Sequence, residues 1–310
     1  MSESSWNFKS IAIVGSGAIG LYYGGRLAKA GEDVRFLLRS DFDEIQKNGL
    51  KVGSCHGDFE LPQVQAYRTP EAIGPVDLVI VAWKATANHL LKQVLPPLLH
   101  DQTQVLTLQN GLGNCEQIAE IVGPQRVLGG LCFVCINRMA AGLVSHTAGG
   151  KISLGEWRPG GDRAKILVAR MNAAGIPAEL SGDLEKAQWV KLIWNIPFNG
   201  LAVAEGGVTT DILLADPAIE MEIRGLMAEI ILAARAQGID LDEALISQNI
   251  ERTRPMGPYR PSTMIDFVEG REIELGPIWE EPLRRAKKAG VSMPRLEHLI
   301  QRMKDCCGQA

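Results

Sequence analysis

The sequence lacks several features that would assign it to particular classes of protein. None of its apolar runs approaches the ~20 residues of a membrane-spanning helix, and the polar start 1–8 predicts no secretory signal. The net charge of −4 gives no basic surplus for a nucleic acid or an anionic membrane, so we expect neither as a partner. Internal repeats and low-complexity tracts are also absent. The 310 residues, 46% of them hydrophobic and 22% charged, predict one large or two ordinary packed domains.

Six cysteines are present, and only Cys132 and Cys135 have the Cys-x-x-Cys spacing of a metal or redox pair. This pair lies in an apolar, strand-like run, and no second pair completes a zinc site, so we expect free, buried thiols. Cys306 and Cys307 are near a polar stretch and are predicted to be exposed. Reduced cysteines are typical of a reducing compartment, which predicts a cytoplasmic protein.

A glycine-rich turn follows the first strand predicted in the chain. The apolar run 11–14 is typical of a buried strand, and Gly-x-Gly-x-x-Gly and a helical pattern over 21–30 follow it at once. Gly15 permits the tight turn, Gly17 lets the backbone approach a pyrophosphate, and Gly20 lets the helix pack on the strand. The start of the helix, with its free N–H groups, favours phosphate. The alternative is a glycine-rich turn in an unrelated α/β protein. The predicted dinucleotide site comprises Gly15, Ser16, Gly17, Ala18, Ile19 and Gly20.

The residue after the second predicted strand, 33–38, bears on the choice of cofactor. An NAD-binding turn usually has Asp or Glu here, which accepts a hydrogen bond from the ribose 2′-hydroxyl. This chain has Arg39, whose guanidinium suits a 2′-phosphate and therefore favours NADPH/NADP+. Asp41 and Asp43 follow closely, so an acid for NAD stays an alternative, and Arg39 can also be an ordinary surface charge.

Two further predicted strands deliver polar residues to the same edge of the sheet. Lys84 follows the apolar run 77–82 and can reach the phosphates of the cofactor, although most lysines are simply solvated. Asn110 follows the strand 105–108 and can bond the nicotinamide ribose or the substrate. Its alternative role is that of a turn residue, which is common for Asn-Gly. Other predicted elements are a helix over 87–99, strands over 127–136, 142–147 and 151–155, and a helix over 162–174.

The pattern changes near Ser181–Gly182, where strand-like runs stop and helical periodicity begins. We therefore predict an α/β Rossmann-type dinucleotide-binding domain over 1–181, followed by an all-α domain over 182–310. The apolar surface of the helical domain favours a homodimer. Later predicted helices cover 216–238, 242–253, 278–289 and 294–304.

The helix that opens the second domain carries three polar residues on one face. Lys191, Asn195 and Asn199 are spaced i, i+4 and i+8, while the residues around them are apolar. Buried polar groups need partners, which are supplied either by a polar ligand or by a structural network between helices. Pro197 predicts a kink that frees a backbone carbonyl near this face.

The chain resembles the ketopantoate reductase family, the 2-dehydropantoate 2-reductases, over nearly its whole length. The resemblance is carried by the order and spacing of five blocks, which are 15–20, Trp83-Lys84-Ala85, 109–113, 189–199 and 261–274. It implies hydride transfer from NADPH to the C2 carbonyl of ketopantoate, a 2-oxo acid, giving pantoate for pantothenate and coenzyme A biosynthesis.

The resemblance also implies roles for individual residues. Lys191 matches the catalytic lysine, here a general acid, and Glu274 matches its partner carboxylate, which also contacts the cofactor. Asn195, Asn199 and Ser262 match substrate-binding positions, and Asn110 matches a residue that contacts both cofactor and substrate. Further cofactor positions are Arg39, Lys84 and, with a loose alignment, Cys135.

Two departures from the family pattern leave alternatives open. Thr209 stands where the family offers another substrate-binding asparagine, and Glu272 is close enough to Glu274 to be the paired acid instead. Reduction of a different 2-oxo acid, a related hydroxyacid or polyol-phosphate dehydrogenase activity, a non-catalytic NADP-binding regulator and a structural helical oligomer are the competing hypotheses. No metal site is predicted.

Overall fold

A computed structural model of the chain describes residues 6–308, which form two compact units. The first unit contains the described residues up to Gln109 and the segment Asn114–Leu184. The second contains Asn110–Gly113 and the described residues from Glu185 onward. The chain therefore leaves the first unit for four residues and then returns to it. The domain boundary near Ser181–Gly182 stays a prediction.

A sheet of ten strands forms the centre of the first unit. Its strands are β1 (Ser10–Val14), β2 (Asp33–Leu37), β3 (Leu50–Ser54), β4 (Phe59–Leu61), β5 (Gln65–Tyr67), β6 (Leu78–Val81), β7 (Gln104–Thr107), β8 (Val127–Ala140), β9 (Leu143–Glu156) and β10 (Ala178–Leu180). Its helices are α1 (Ala18–Lys29), α2 (Phe42–Asn48), α3 (Pro70–Ile73), α4 (Leu91–Val94), α5 (Asn114–Val122) and α6 (Arg163–Ala173). Every residue of β6 and β7 is buried, as expected for central parallel strands covered on both faces.

The order of the strands reverses beside β1. The sheet runs β4-β3-β9-β8-β7-β6-β1-β2-β5, with β10 alongside β9. β1 pairs in parallel with both β2 and β6. Because the chain continues to one side after β1 and to the other side after β6, the carboxyl ends of these two strands flank a topological switch point. Open α/β sheets bind their ligands at such points.

The strands predicted over 127–136, 142–147 and 151–155 are wrong in number, because two 14-residue strands, β8 and β9, cover this region. The pair Gly149–Gly150 suggests a break, but both glycines lie within β9 at positive φ. The antiparallel register shifts beside them, between Phe133 and Val134, so the glycines accommodate a bulge rather than a turn.

The continuous helix predicted over 87–99 is also wrong. The structure has a 3₁₀ segment, Ala85–Leu90, then the single turn α4, and then another 3₁₀ segment, Pro96–Leu98. Two consecutive prolines lack the N–H groups that an α-helix needs, so the regular ladder ends before them.

Helices account for the regular structure described in the second unit. They are α7 (Leu184–Ala204, whose first residue belongs to the first unit), α8 (Thr210–Ala215), α9 (Pro217–Arg235), α10 (Ala244–Thr253), α11 (Ser262–Val268), α12 (Glu281–Lys288) and α13 (Pro294–Cys306). The helix predicted over 278–289 begins as a π-helical turn, Gly276–Glu280, before α12. Pro282 has no N–H for the carbonyl four residues earlier, which favours the wider register at this point.

Helix α7 lies at the centre of the core of the second unit. It continues through Pro197, and its buried residues pack with those of α9, α12 and α13. Gly200 permits a close approach, because a Cβ atom there would lie 2.7 Å from Cδ2 of Leu299 and 2.8 Å from Nε1 of Trp279. This indole instead donates a hydrogen bond of 3.0 Å to the carbonyl of Ile196. The core therefore holds the polar face of α7 in a fixed orientation.

The six cysteines are free thiols. Cys132 and Cys135 are half-buried rather than buried, because only the first five residues of β8 are fully covered. Cys306 is exposed, as predicted, whereas Cys307 is half-buried. Within residues 6–308, no group of three or more His, Cys, Asp or Glu residues is arranged to hold a metal ion.

Candidate active site

The glycine turn between β1 and α1 has the geometry that the motif predicts. Gly15 has φ +117°, and a Cβ atom on it would lie 2.4 Å from the backbone nitrogen of Trp83. A Cβ atom on Gly20 would lie 2.0 Å from the carbonyl oxygen of Gly15. Both glycines are therefore required by the fold itself.

Gly17 differs from its two neighbours. A Cβ atom there would meet the protein only at the carbonyl oxygen of Ala82, at 4.0 Å, and Gly17 is exposed at the start of α1. No acidic side chain lies in the first turn of this helix. The open space and the free N–H groups of Ala18 and Ile19 fit a dinucleotide pyrophosphate. The residues of the turn therefore fit a dinucleotide cofactor.

The side chains after β2 favour a phosphate over a bare ribose. Arg39 is exposed, and no ion pair engages it within residues 6–308. Asp41 is instead fully buried, where Arg138 bonds it at 2.6 and 2.9 Å. Asp43 pairs with Arg68 at 2.5 Å. Both acids that offered an alternative for NAD are therefore engaged elsewhere, which leaves the guanidinium of Arg39.

A network of amides at the carboxyl ends of β6 and β7 is absent from the sequence predictions. The Asn88 Oδ1 atom accepts hydrogen bonds from Trp83 Nε1 at 3.1 Å and from Gln109 Nε2 at 2.7 Å. The Asn88 Nδ2 atom donates to Asn114 Oδ1 at 3.0 Å. Asn88 thus connects the segment that carries Lys84 with the segment that leads into Asn110. Its position inside a predicted helix gave no signal of this role.

In the second unit, Lys191 and Asn110 are brought together across 81 residues of sequence. The Nζ atom of Lys191 donates a hydrogen bond of 2.7 Å to Oδ1 of Asn110. The turn after Asn110 is fixed by Gly111, with φ +83°, whose missing Cβ would lie 2.3 Å from the carbonyl oxygen of Pro277. That carbonyl accepts a bond of 2.9 Å from the N–H of Leu112. The two predicted site residues are therefore in direct contact, and the backbone of the turn after Asn110 is held in place by Pro277.

The electrostatics beside this segment are dominated by Glu281, whose carboxylate approaches Gly113. Burial raises the pKa of Glu281, but hydrogen bonds from Arg284 and Arg285 outweigh it and leave the pKa below its ordinary range. Glu281 is therefore ionised and neutralised by arginine at neutral pH.

The other polar residues of α7 fall into two kinds. Asn195 is half-buried, and its amide has no partner in the described part of the chain. Asn199 is buried, and its Oδ1 atom accepts a hydrogen bond of 3.1 Å from the N–H of Thr263. This bond orients the Asn199 amide and holds the start of α11, where Ser262 is exposed. Asn199 therefore positions Ser262 and keeps an oriented Nδ2 donor.

The remaining predicted site residues occupy distinct environments. Glu274 is half-buried just before the π-helical turn, whereas Glu272 is exposed. Thr209 bonds Asp211 at the start of α8, so its hydroxyl serves that turn. Lys84 and Cys135 are half-buried in the first unit, Lys84 just after β6 and Cys135 on β8. The roles predicted for all of these residues, including the pairing of Lys191 with Glu274, stay predictions.

A Rossmann-type unit with a dinucleotide turn, followed by a helical unit with a half-buried lysine–amide contact, defines a class of dinucleotide-dependent oxidoreductase. The chain matches the family described as "Ketopantoate reductase PanE/ApbA" over residues 11–159 and its C-terminal part over residues 183–306. The chain belongs to the ketopantoate reductase family.

Individual relatives agree with this assignment. A 2-dehydropantoate 2-reductase from Nostoc sp. is 42% identical over 304 residues, covering 96% of this chain and 95% of the relative. The crystal structure of 2-dehydropantoate 2-reductase from Geobacter metallireducens GS-15 has a TM-score of 0.93 at 44% identity, covering 96% of this chain and 99% of that one. A D-mandelate dehydrogenase with NADH and anilino(oxo)acetate, 24% identical over 96% of this chain and 98% of its own with a TM-score of 0.89, shows the shared fold.

These comparisons confirm the predicted family, the two-part fold class and the oxidoreductase activity acting on a CH–OH group, and they agree with a nicotinamide cofactor. In residues 6–308, no helix is long and apolar enough to cross a membrane. The predicted homodimer stays a prediction.

Proposed function

We propose that this chain reduces ketopantoate to pantoate with NADPH, and that Lys191 is the general acid. In this role it supplies pantoate for pantothenate and coenzyme A biosynthesis. The single observation that carries the proposal is the contact of 2.7 Å between Lys191 and Asn110 on a face that also bears the half-buried Asn195 amide. The ammonium group of a lysine carries three N–H donors, and one of them is directed at the Oδ1 atom of Asn110.

The turn Gly15–Gly20 binds the pyrophosphate of the cofactor through backbone N–H groups, and Arg39 binds the 2′-phosphate. Lys84, at the end of the neighbouring strand, adds positive charge on the same edge of the sheet. The cofactor, when bound, supplies the hydride that is added to C2 of the substrate. The free Arg39 guanidinium and the engaged Asp41 and Asp43 support NADPH over NADH.

Lys191 supplies the proton of the reaction. Negative charge grows on the carbonyl oxygen as C2 is reduced, and an ammonium group aimed at this oxygen stabilises the charge and then donates its proton. The product is the 2-hydroxy acid, and Lys191 regains a proton from solvent. Asn110 fixes the direction of the ammonium group, and Glu274 favours its charged form.

Asn195, Asn199 and Ser262 orient the carboxylate and hydroxyl groups of the substrate. The Asn195 amide and the exposed Ser262 hydroxyl have no competing partner in residues 6–308, and the Asn199 amide is already oriented by Thr263. Groups with unused hydrogen-bonding capacity beside a catalytic lysine are well suited to a small polar acid.

The experiment that tests this function is NADPH oxidation against a panel of 2-oxo acids that includes ketopantoate, with NADH measured in parallel. We expect ketopantoate to have the highest kcat/KM and NADPH to be preferred. Faster turnover of another 2-oxo acid would reassign the substrate. Tight NADPH binding without turnover of any 2-oxo acid would favour a regulator and overturn the proposal.

A further inference from the structure

Trp194 shares the half-exposed face of α7 with Lys191 and Asn195. From Trp189 to Val203 this helix is otherwise mostly buried. Residues three and four apart lie on adjacent positions of a helix face, so the Trp194 indole and the Asn195 amide each lie one turn from the Lys191 side chain. Partial exposure of a large apolar side chain such as Trp194, on the same helix face as two polar site residues, suggests that the side chain contacts a ligand.

The polar atom of this indole is satisfied within the protein. Trp194 Nε1 donates a hydrogen bond of 2.9 Å to Thr253 Oγ1, which in turn donates one of 2.6 Å to the carbonyl of Asn249. Thr253 and Asn249 are both buried on α10. The N–H edge of the ring is therefore directed at the protein interior, and the surface that remains accessible is aromatic carbon.

Two other aromatic rings hold the indole in place. The ring of Phe198 stacks on it with a centroid distance of 5.0 Å and an interplanar angle of 25°. Tyr259 meets it edge-on at 6.0 Å and 61°, and lies three residues before the site residue Ser262. The indole thus has little rotational freedom left to lose, so an apolar group packing against it gains contact at low entropic cost.

We propose that Trp194 is a specificity-determining residue, whose accessible face packs against the apolar substituent on C3 of the 2-oxo acid and selects branched substrates over small ones. This inference rests on the proposed function, because it takes Lys191 as the residue that meets the carbonyl. Because C3 is bonded to C2, and Trp194 is adjacent to Lys191 on the helix face, a substrate whose C2 carbonyl meets Lys191 has its C3 near Trp194. The quaternary C3 of ketopantoate offers two methyl groups, whereas pyruvate has only the methyl carbon itself.

The size of the effect follows from the area of the two methyl groups. Burying one methyl group corresponds to about a fourfold gain in binding, so the loss of contact with both corresponds to about a tenfold loss or somewhat more. We therefore expect Trp194→Ala to lower kcat/KM for ketopantoate by about tenfold more than for pyruvate, mainly through KM. Lys191 still donates the proton, so the kcat values for the two acids keep their ratio.

Two further variants distinguish the role of the aromatic face of Trp194 from the role of its hydrogen bond to Thr253. Trp194→Phe keeps an aromatic face and loses the bond to Thr253, and we expect it to retain most of the preference. Thr253→Val keeps the indole but removes its anchor, together with the bond from Thr253 to the Asn249 carbonyl, and is expected to lower the preference by less than Trp194→Ala does. Thermal unfolding and near-ultraviolet circular dichroism establish that each variant is folded. If Trp194→Ala does not fold, Thr253→Val carries the test, because it is still expected to lower kcat/KM for ketopantoate more than for pyruvate.

A binding measurement keeps the inference separate from the reaction. Calorimetry on the protein saturated with NADP+ compares pantoate with lactate, and the wild type is expected to favour pantoate by a ratio that Trp194→Ala reduces about tenfold. An equal loss for branched and small acids, or no loss for either, would overturn the role of Trp194. If the wild type shows no turnover but still prefers pantoate, the proposed reaction is overturned, whereas the role of Trp194 in binding the C3 substituent is supported.

Discussion

The glycine turn of the first unit and the polar face of α7 in the second unit are built by opposite means. The turn is continuous in sequence and works through backbone atoms, and its glycines leave room for close approaches that a single Cβ atom would block. The face of α7 depends on side chains whose partners lie far away in the chain, such as Asn110 for Lys191 and Thr263 for Asn199. The comparison teaches that adding one methyl group can abolish binding at a site made of backbone atoms. A site made of side chains is instead disrupted when one of their hydrogen-bond partners is removed.

The largest expected effect is on the side-chain site. Replacing Lys191 by Ala removes the proton donor, and because a positioned general acid contributes roughly 10²–10⁴-fold, we expect kcat to fall at least ~100-fold. NADPH affinity, measured by fluorescence titration, should stay near the wild-type value. Lys186→Ala, a change of an exposed lysine on the same helix, is the control and should keep kcat. Wild-type turnover by Lys191→Ala would remove this lysine from the chemistry.

The second effect distinguishes a glycine needed for cofactor binding, Gly17, from one needed for the fold, Gly20. Gly17→Ala places its methyl group in open space, so we expect a normal melting temperature and at least ~10-fold weaker NADPH binding. Gly20→Ala places the methyl group against the Gly15 carbonyl and should lower the melting temperature by several degrees. Calorimetry of unfolding and NADPH titration on both variants measure the difference. Equal loss of stability in the two variants would contradict a ligand role for Gly17.

A third effect concerns the choice of cofactor. Arg39→Ala should raise KM for NADPH by at least ~10-fold, since a charge-assisted hydrogen bond is worth about 1.5–3 kcal/mol, and should leave KM for NADH unchanged. Arg68→Ala is the matched control, because Arg68 already pairs with Asp43 in the same region. If NADH and NADPH respond alike to the loss of Arg39, the 2′-phosphate is bound elsewhere.

The smallest effect lies outside both sites and tests the stability of the first unit. Burial, assisted by the neighbouring His56, lowers the pKa of His146 below its ordinary value. The unfolded chain therefore takes up a proton first as pH falls, so stability should decrease below about pH 6.5 by at most ~1.4 kcal/mol per pH unit. Chemical unfolding at pH 7.5 and 5.5 measures this loss. His146→Gln should flatten the dependence, whereas replacement of the exposed His298 by Gln should leave it unchanged.

The parts of the fold that could be predicted are those determined by neighbours in sequence. β1, the glycine turn and α1 follow one another directly, so periodicity and glycine spacing suffice. The separate strands predicted over 142–147 and 151–155 fail because Gly149 and Gly150, at positive φ, can form either a turn or a bulge, and only pairing with β8 distinguishes the two. The helix expected over 87–99 fails because local pattern does not register how far two prolines disturb the preceding turns.

The same limit applies to the candidate site. The spacing of Lys191, Asn195 and Asn199 places them on one face, but it does not show that Thr263 engages Asn199 or that Asn110 reaches Lys191. Likewise, the Asn88 network joins residues whose contacts span up to 26 positions in the chain. A partner that is distant in sequence becomes visible only when the chain is folded.

The four residues Asn110–Gly113 have a consequence for recombining this protein with its relatives. They belong to the second unit although the chain reaches them before α5 of the first. A gene fragment that begins at Glu185 therefore encodes a lysine without its amide partner, and a chimera joined at that position inherits Asn110 from one parent and Lys191 from the other. Grafting the helical half of one enzyme onto another requires three junctions, one on each side of the tetrapeptide and one before Glu185, so that the tetrapeptide is exchanged together with the helices.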